Sequence, residues 1–272
     1  MRHTAVIFLV GLFTVLSATA GLDEGLVVYL TFDNVKRNWI LDASGNELDA
    51  EIVGNPHFVR GKYGVAIQSA ADTDECVTLP ASDALNISRE ITLSAWIYRD
   101  NWTEGSGYWF DKGCYAGKAD LHAYGMAVFQ VKEAHWELGD LKGTVLVMLL
   151  GGPGNQVRFS KALPKMENEK WHHIVGTYDG AFVKMYLDGE VFFDSKGFGP
   201  TEVAADTNNQ ELRIGCAKNR PQFAFDKGAI DEVALWQRVL TQAEIRTVLK
   251  GNILSVSPSD KAATTWGDIK GS

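Results

Sequence analysis

The segment Trp171-His172-His173-Ile174-Val175-Gly176-Thr177-Tyr178-Asp179-Gly180 sets two histidines side by side, and a second Asp-Gly pair follows at Asp188-Gly189. Neighbouring imidazoles suit metal ligation or acid–base chemistry, provided both rings reach the same atom. The Asp-Gly pairs argue against that. Each separates two strand-like runs, and Asp-Gly supplies the positive φ angles of a tight type I′ hairpin. The spacing predicts a meander of three strands, 171–178, 181–187 and 190–193. Adjacent strand residues point to opposite faces. His172 and His173 are therefore read as one histidine per face, not as a catalytic or metal-binding pair.

Other chemistry-bearing patterns are sparse. No Gly-x-Ser-x-Gly, His-Glu-x-x-His or phosphate-binding loop occurs. The Gly-rich stretch at 149–156 carries Pro153 and lacks a Lys-Ser/Thr end, which makes it a hairpin loop. Cys76, Cys114 and Cys216 fit no zinc spacing. One disulfide and one spare thiol follow in an oxidising compartment, with three pairings open. Cys114 and Cys216 both follow a strand-plus-Gly phrase, which favours Cys114–Cys216. Aromatic residues crowd 101–136. Aromatic faces stack on sugars or on apolar groups of a partner. Tyr108, Trp109 and Tyr124 sit in strand-like runs and are read as core. Trp102 and Trp136 lie in loop-like surroundings and, with Tyr115, are the candidate ligand-binding residues. Trp96 and Trp171 are read as packing residues.

The elements that must position these residues are mostly strands. Short runs rich in Val, Ile, Tyr, Phe, Trp and Thr alternate with Gly, Asp and Asn along the chain. In the run 91–98, Ile91, Leu93, Ala95 and Ile97 share one face, which predicts a half-buried strand. One helix is expected after Thr241, with Glu244 at the capping-box spacing, an apolar stripe of Ile245, Val248 and Leu249, and Gly251 as its stop. The fold class is all-β: a two-sheet antiparallel sandwich with one short C-terminal helix.

The N-terminus reads as a secretory signal peptide over 1–20. It has a basic start, an apolar run from Ala5 to Leu16 and an Ala-x-Ala end. That run falls short of the roughly 20 residues of a membrane span. The body of the domain is placed at 21–252, and 253–272 as a polar tail. The formal charge is −8, or −9 once Arg2 is removed (25 basic against 34 acidic). This excludes the dense basic surface that nucleic acid rewards. The expected location is secreted, extracellular or periplasmic.

The meander 171–190 resembles the signature of LamG-like jelly-roll domains of the concanavalin A-like lectin/glucanase superfamily. The phrases at 26–34, 41–54, 61–69, 91–98, 212–215 and 229–245 resemble others of that family, in its order. The resemblance implies a jelly roll whose first and last strands are antiparallel neighbours. That places the carboxylates of Asp33 and Asp231 together, which demands a cation or a proton between them. Many relatives resemble calcium binders, so Ca²⁺ is the expected cofactor, with Asp33 and Asp231 as ligands and Asp42 and Asn46 as additions. The alternative stays open that Asp33 and Asp42 cap turns and Asp231 bonds a neighbouring amide.

Glucanases of the superfamily carry Glu-x-Asp-x-x-Glu on one strand, and this sequence lacks that string. On period-two alternation, the adjacent Asp231 and Glu232 face opposite ways. The expected function is non-catalytic recognition, of a glycan first and an extracellular protein second. A structural or adhesive module without sugar binding, and a glycoside hydrolase or lyase with a displaced site, are the alternatives.

Overall fold

A computed structural model describes residues 21–69, 75–87, 89–113, 123–133, 140–152, 155–195, 210–217, 223–225, 227–251 and 253–254. Residues 1–20, read above as a signal peptide, Cys114, Tyr115, Trp136 and residues 255–272 lie outside them. In chain order the strands begin with β1 (Leu26–Leu30), β2 (Val35–Lys36), β3 (Trp39–Ile40), β4 (Ala50–Val53), β5 (His57–Arg60) and β6 (Val65–Gln68). Then come β7 (Cys76–Leu79), β8 (Ile91–Arg99), β9 (Gly107–Lys112), β10 (Tyr124–Val131), β11 (Gly143–Gly152) and β12 (Asn155–Ala162). The last are β13 (Lys170–Tyr178), β14 (Val183–Leu187), β15 (Glu190–Asp194), β16 (Leu212–Ile214) and β17 (Gly228–Trp236), followed by α1 (Gln242–Val248).

Two antiparallel sheets result. The first runs β15-β14-β13-β8-β17-β6-β5, and β1 also pairs β17. The second runs β12-β11-β10-β9-β16-β7-β4-β3-β2. The jelly-roll expectation holds, including the neighbouring first and last strands: Leu30 lies opposite Val233.

The main core fills the space between the sheets. Ile91, Leu93, Ala95 and Ile97 face it as their alternation requires, against Trp109, Phe110, Tyr124 and Met126. Gly176 of β13 is where two methionines press in. A Cβ there would stand 2.8 Å from Met148 Sδ and 2.9 Å from Met126 Sδ. The outer faces are covered as well, so β8 is buried on both sides rather than half buried. α1 lays Ile245 and Val248 against Tyr29, Val175, Tyr186 and Trp236, and Ile253 closes the same cluster. Its capping box forms as read: Thr241 accepts from the Glu244 amide, and Glu244 returns to Thr241 N. On the other sheet Tyr108, Val145, Val147 and Leu149 make a smaller cluster.

Asp188 (φ 51°) and Gly189 (φ 82°) form the expected tight turn between β14 and β15. The Asp179-Gly180 turn is wider than expected. Tyr178 pairs Val183, and Asp179 Oδ1 gathers the amides of Ala181 and Phe182, so β14 starts at Val183.

The disulfide expectation is corrected: Cys216 bonds Cys76, with a Cα–Cα distance of 5.7 Å. The register explains this. β16 lies between β9 and β7, and Ile214 is opposite Val77. Lys112, the last residue of β9, pairs Leu212 at the other end of β16 from Cys216. The bond ties positions 140 residues apart. Cys76→Ser should therefore lower unfolding free energy by about 2–5 kcal/mol. Urea melts of variant and parent check this, and equal midpoints would contradict it.

Candidate functional site

The pairing of β1 with β17 carries Asp33 and Asp231 to one place. Asp231 and Glu232 arrive there together, which alternation does not allow. The register of β17 on β8 slips between Asp231 and Ala234, and Glu232 takes φ 53°. This is a β-bulge, in which an extra residue re-aims its neighbours. Ile230 and Val233 stay in the core between the sheets. Asp231 and Glu232 both turn to the outer face, where Glu232 accepts the hydroxyl of Tyr29. The expectation of opposite faces is thus corrected by the bulge.

The turn 61–65 closes over these carboxylates. Gly61 N–H donates to Gly64 O at 2.9 Å and shapes it. Tyr63 N–H then donates to Asp231 Oδ2 at 3.0 Å, and Val65 N–H to Asp33 Oδ1 at 2.8 Å. Asp231 Oδ1 takes the Glu232 amide at 2.8 Å. The approach is close enough to require glycine: a Cβ on Gly64 would lie 2.0 Å from Asp33 Oδ1, and one on Gly61 2.5 Å from Asp231 Oδ2. Tyr63 also stands edge-on to Trp96, and Lys62 Nζ lies 4.2 Å from the Trp96 ring centroid.

The electrostatics follow from this crowding. Asp231 is fully buried. Burial first, then the charges of Glu232 and Asp33, push its pKa up to about 8 against the pull of two amides. Asp33 keeps an open side, yet partial loss of water still raises it, while the Val65 amide pulls it down. Burial and the charge of Glu232 raise the Tyr29 hydroxyl. The donor set is all oxygen, which suits a hard cation. Among the described residues, however, no group of three or more His, Cys, Asp or Glu is disposed to hold a metal.

Asp42 and Asn46 are hydrogen-bonded within their own turn and to β1. Asp42 accepts from Tyr29 N, Ser44 N, Ser44 Oγ and Leu48 N. Asn46 Nδ2 donates to Leu26 O and Val27 O. Both fasten the 42–48 turn to β1, as the turn-capping alternative expects for Asp42.

The two histidines part as alternation requires. His172 meets Asp188 Oδ2 through Nδ1 at 2.8 Å and stands edge-on to Trp102. His173 Nε2 is hydrogen-bonded to Ser94 Oγ at 2.9 Å, and burial pushes its pKa down to about 4. Asp188 also accepts the His173 amide, so the hairpin turn reaches back to brace β13.

Trp102 is not an exposed stacking platform. Its side chain is 2% exposed. The chain gathers around its backbone, with Asn168 Oδ1 accepting its N–H and Gln130 and Thr144 donating to its carbonyl. It forms the floor of a cleft of about 490 Å³. Among the described residues Trp39 on β3 does face solvent, 38% exposed, as do Phe58 and Phe182. It lines a second groove of about 490 Å³ with Glu47, Asp49, Leu79, Pro80 and Ser82. Asp49 Oδ1 accepts the Asp42 amide. No sequence signal separated Trp39 from core tryptophans; its place on a short edge hairpin, flanked by polar 33–38, was the available hint.

A family model described as the concanavalin A-like lectin/glucanases superfamily, of laminin G type, matches residues 71–246. No curated protein matches the chain. Among solved structures, the binding domain of Paraclostridial mosquitocidal protein 1 aligns with TM-score 0.60 and 18% identity, over 85% of this chain and 53% of that one. Domain 4 of AbnA, an extracellular arabinanase of Geobacillus stearothermophilus in complex with arabinotriose, aligns with TM-score 0.59 and 21% identity, over 82% and 98%. A Trypanosoma rangeli sialidase aligns with TM-score 0.56 and 17% identity, over 86% and 34%. The chain thus spans about half of the toxin domain and a third of the sialidase.

The raised Asp231 carries a signed prediction. An unfolded aspartate titrates near pH 4. Between there and about 8 the folded chain holds a proton that the unfolded chain has lost. The stability linked to this proton is full below about pH 4 and is lost as pH rises through 8. Asp231→Asn mimics the protonated form and should flatten that decline in calcium-free buffer. Denaturant melts across the interval check it, and parallel slopes for parent and variant would contradict it.

Proposed function

The chain belongs to the concanavalin A-like lectin/glucanases superfamily, and we propose on that basis that it is a secreted, non-catalytic module that recognises a glycan. The observation that carries this reading is the groove at Trp39. A solvent-facing indole offers a flat face to the apolar side of a sugar ring. Beside it Glu47, Asp49 and Ser82 offer oxygens to sugar hydroxyls. Pro80 and Leu79 supply further apolar surface. The groove's size falls in the roughly 300–1,000 Å³ range of small-molecule sites.

Its carboxylates suit recognition better than hydrolysis. Glycosidases need two carboxyl groups held across one scissile bond by rigid elements. Glu47 and Asp49 instead sit in the irregular turn before β4, with Glu47 at φ 59° and Asp49 spent on a backbone amide. The relatives lend support in kind. One was solved with arabinotriose, and a botulinum neurotoxin binding domain of this fold, 12% identical, was solved with rat synaptotagmin II. The Cys76–Cys216 bond agrees with an oxidising compartment.

Calcium belongs to the same reading. Asp33 and Asp231 would hold it, and the charge it supplies would replace the proton on Asp231. Its role is a brace for the 61–65 turn, away from the Trp39 groove.

Two outcomes follow. Trp39→Ala should weaken glycan binding by about tenfold or more, since buried tryptophan contacts carry on the order of 2 kcal/mol. A glycan array followed by calorimetry checks this. An array without hits favours the adhesive alternative, and sugar released from polysaccharide favours the hydrolase. Calcium should raise the melting temperature of the parent and not of Asp33→Asn. Identical melting with calcium and with chelator would remove the brace and leave the glycan site standing.

A further inference from the structure

We propose that the cleft floored by Trp102 is a second saccharide site, and that it takes anionic sugars bearing carboxylate or sulfate groups. The argument begins with charge. The protein is acidic overall, with formal charge −8. Yet among the described residues the only ionisable ones lining this cleft are Lys132 and Lys165. Both are exposed. Among the described residues neither has an ion-pair partner, whereas Lys170, Lys184 and Lys227 are paired with Glu167, Asp194 and Glu104. Two unpaired ammonium groups at the rim of one cleft attract a dispersed negative charge on a ligand.

The cleft is also built to hold a ring. One wall is apolar, from Val131, Pro164 and Met166. Its polar groups are fixed in advance. Gln130 Nε2 donates to the Trp102 carbonyl at 2.7 Å and to Thr144 Oγ1 at 3.2 Å. Asn168 Oδ1 holds the Trp102 amide at 3.0 Å. These bonds spend both Nε2 hydrogens of Gln130 and hold the Trp102 segment rigid, so the cleft loses little freedom when a ligand arrives, which favours binding. A pyranose bearing an acid matches the mixture of apolar wall, rigid floor and cationic rim. The Trp39 groove is the opposite case: among the described residues its ionisable lining is Glu47 and Asp49, both acids. One domain thus carries two clefts of similar size and opposite charge.

The inference stands apart from the reading of the Trp39 groove, and one set of titrations separates them. The full chain is titrated at low ionic strength with hexagalacturonate, its neutral methyl ester, a chondroitin sulfate hexasaccharide and polyglutamate. At least one anionic saccharide should bind; which one does distinguishes carboxylate from sulfate as the preferred group. The methyl ester should bind at least about tenfold more weakly than the acid if carboxylate is preferred, and Lys132→Gln/Lys165→Gln should weaken the anionic probe by a similar factor. Both lysines are exposed, so the melting temperature should not change. Trp39→Ala should leave anionic binding intact even where it removes binding of a neutral glycan. Failure of both anionic saccharides to bind at millimolar concentration would overturn the inference. So would binding indifferent to the lysine pair, or polyglutamate bound as tightly as the sugars.

Discussion

Pairing of the first strand with the last carries acidic groups into a place with little water. Leu30 lies opposite Val233, and the bulge at Glu232 turns two successive acids to the same side. Buried carboxylates are costly unless protonated, paired or hydrogen-bonded. The 61–65 turn answers that cost with the amides of Tyr63 and Val65, and Tyr29 adds a hydroxyl. Gly61 and Gly64 are small because the oxygens they approach leave no space for a side chain. The closure of the sandwich, the shape of this turn and the raised Asp231 are three consequences of one juxtaposition.

Where recognition can occur follows from what the sheets cover. The inner faces make the core. On the outside, α1 covers part of the first sheet and an aromatic and aliphatic cluster covers part of the second. Concave, accessible surface is then found at the margins: the β2–β3 edge with Trp39, and the cleft where Trp102 meets β10 and β11. Beneath the Trp102 cleft, β10 and β11 hold Gln130 and Thr144 in fixed positions. Binding residues on a stable scaffold are the usual arrangement for loops and edges of this kind.

Local chemistry was legible in the sequence wherever it acts within a few residues. Asp188-Gly189 marked a tight turn, Thr241 and Glu244 marked a helix start, and the alternation in 91–98 gave the core-facing side of β8. What alternation alone could not reveal was its own interruption. Nothing in the phrase Ala229-Ile230-Asp231-Glu232-Val233 announces a bulge, so alternation puts Asp231 and Glu232 on opposite faces. The nearness of Asp33 and Asp231 came from family resemblance and not from spacing. Exposure was the other blind spot. Trp102 sits in loop-like sequence, and tertiary contacts to Asn168, Gln130 and His172 decide that it is buried. The cysteine pairing failed for a similar reason, because strand order, not phrase similarity, sets which sulfurs meet.

Native-state hydrogen exchange at the Tyr63 and Val65 amides tests the carboxylate clamp most directly. In an open surface turn both would exchange within seconds to minutes. If Asp231 and Asp33 hold them as described, they should be protected about as strongly as amides within β17, and Asp231→Asn should not free the Val65 amide. Exchange of both at the rate of an unstructured loop would contradict the clamp, and with it the account of how the two ends of the domain are joined.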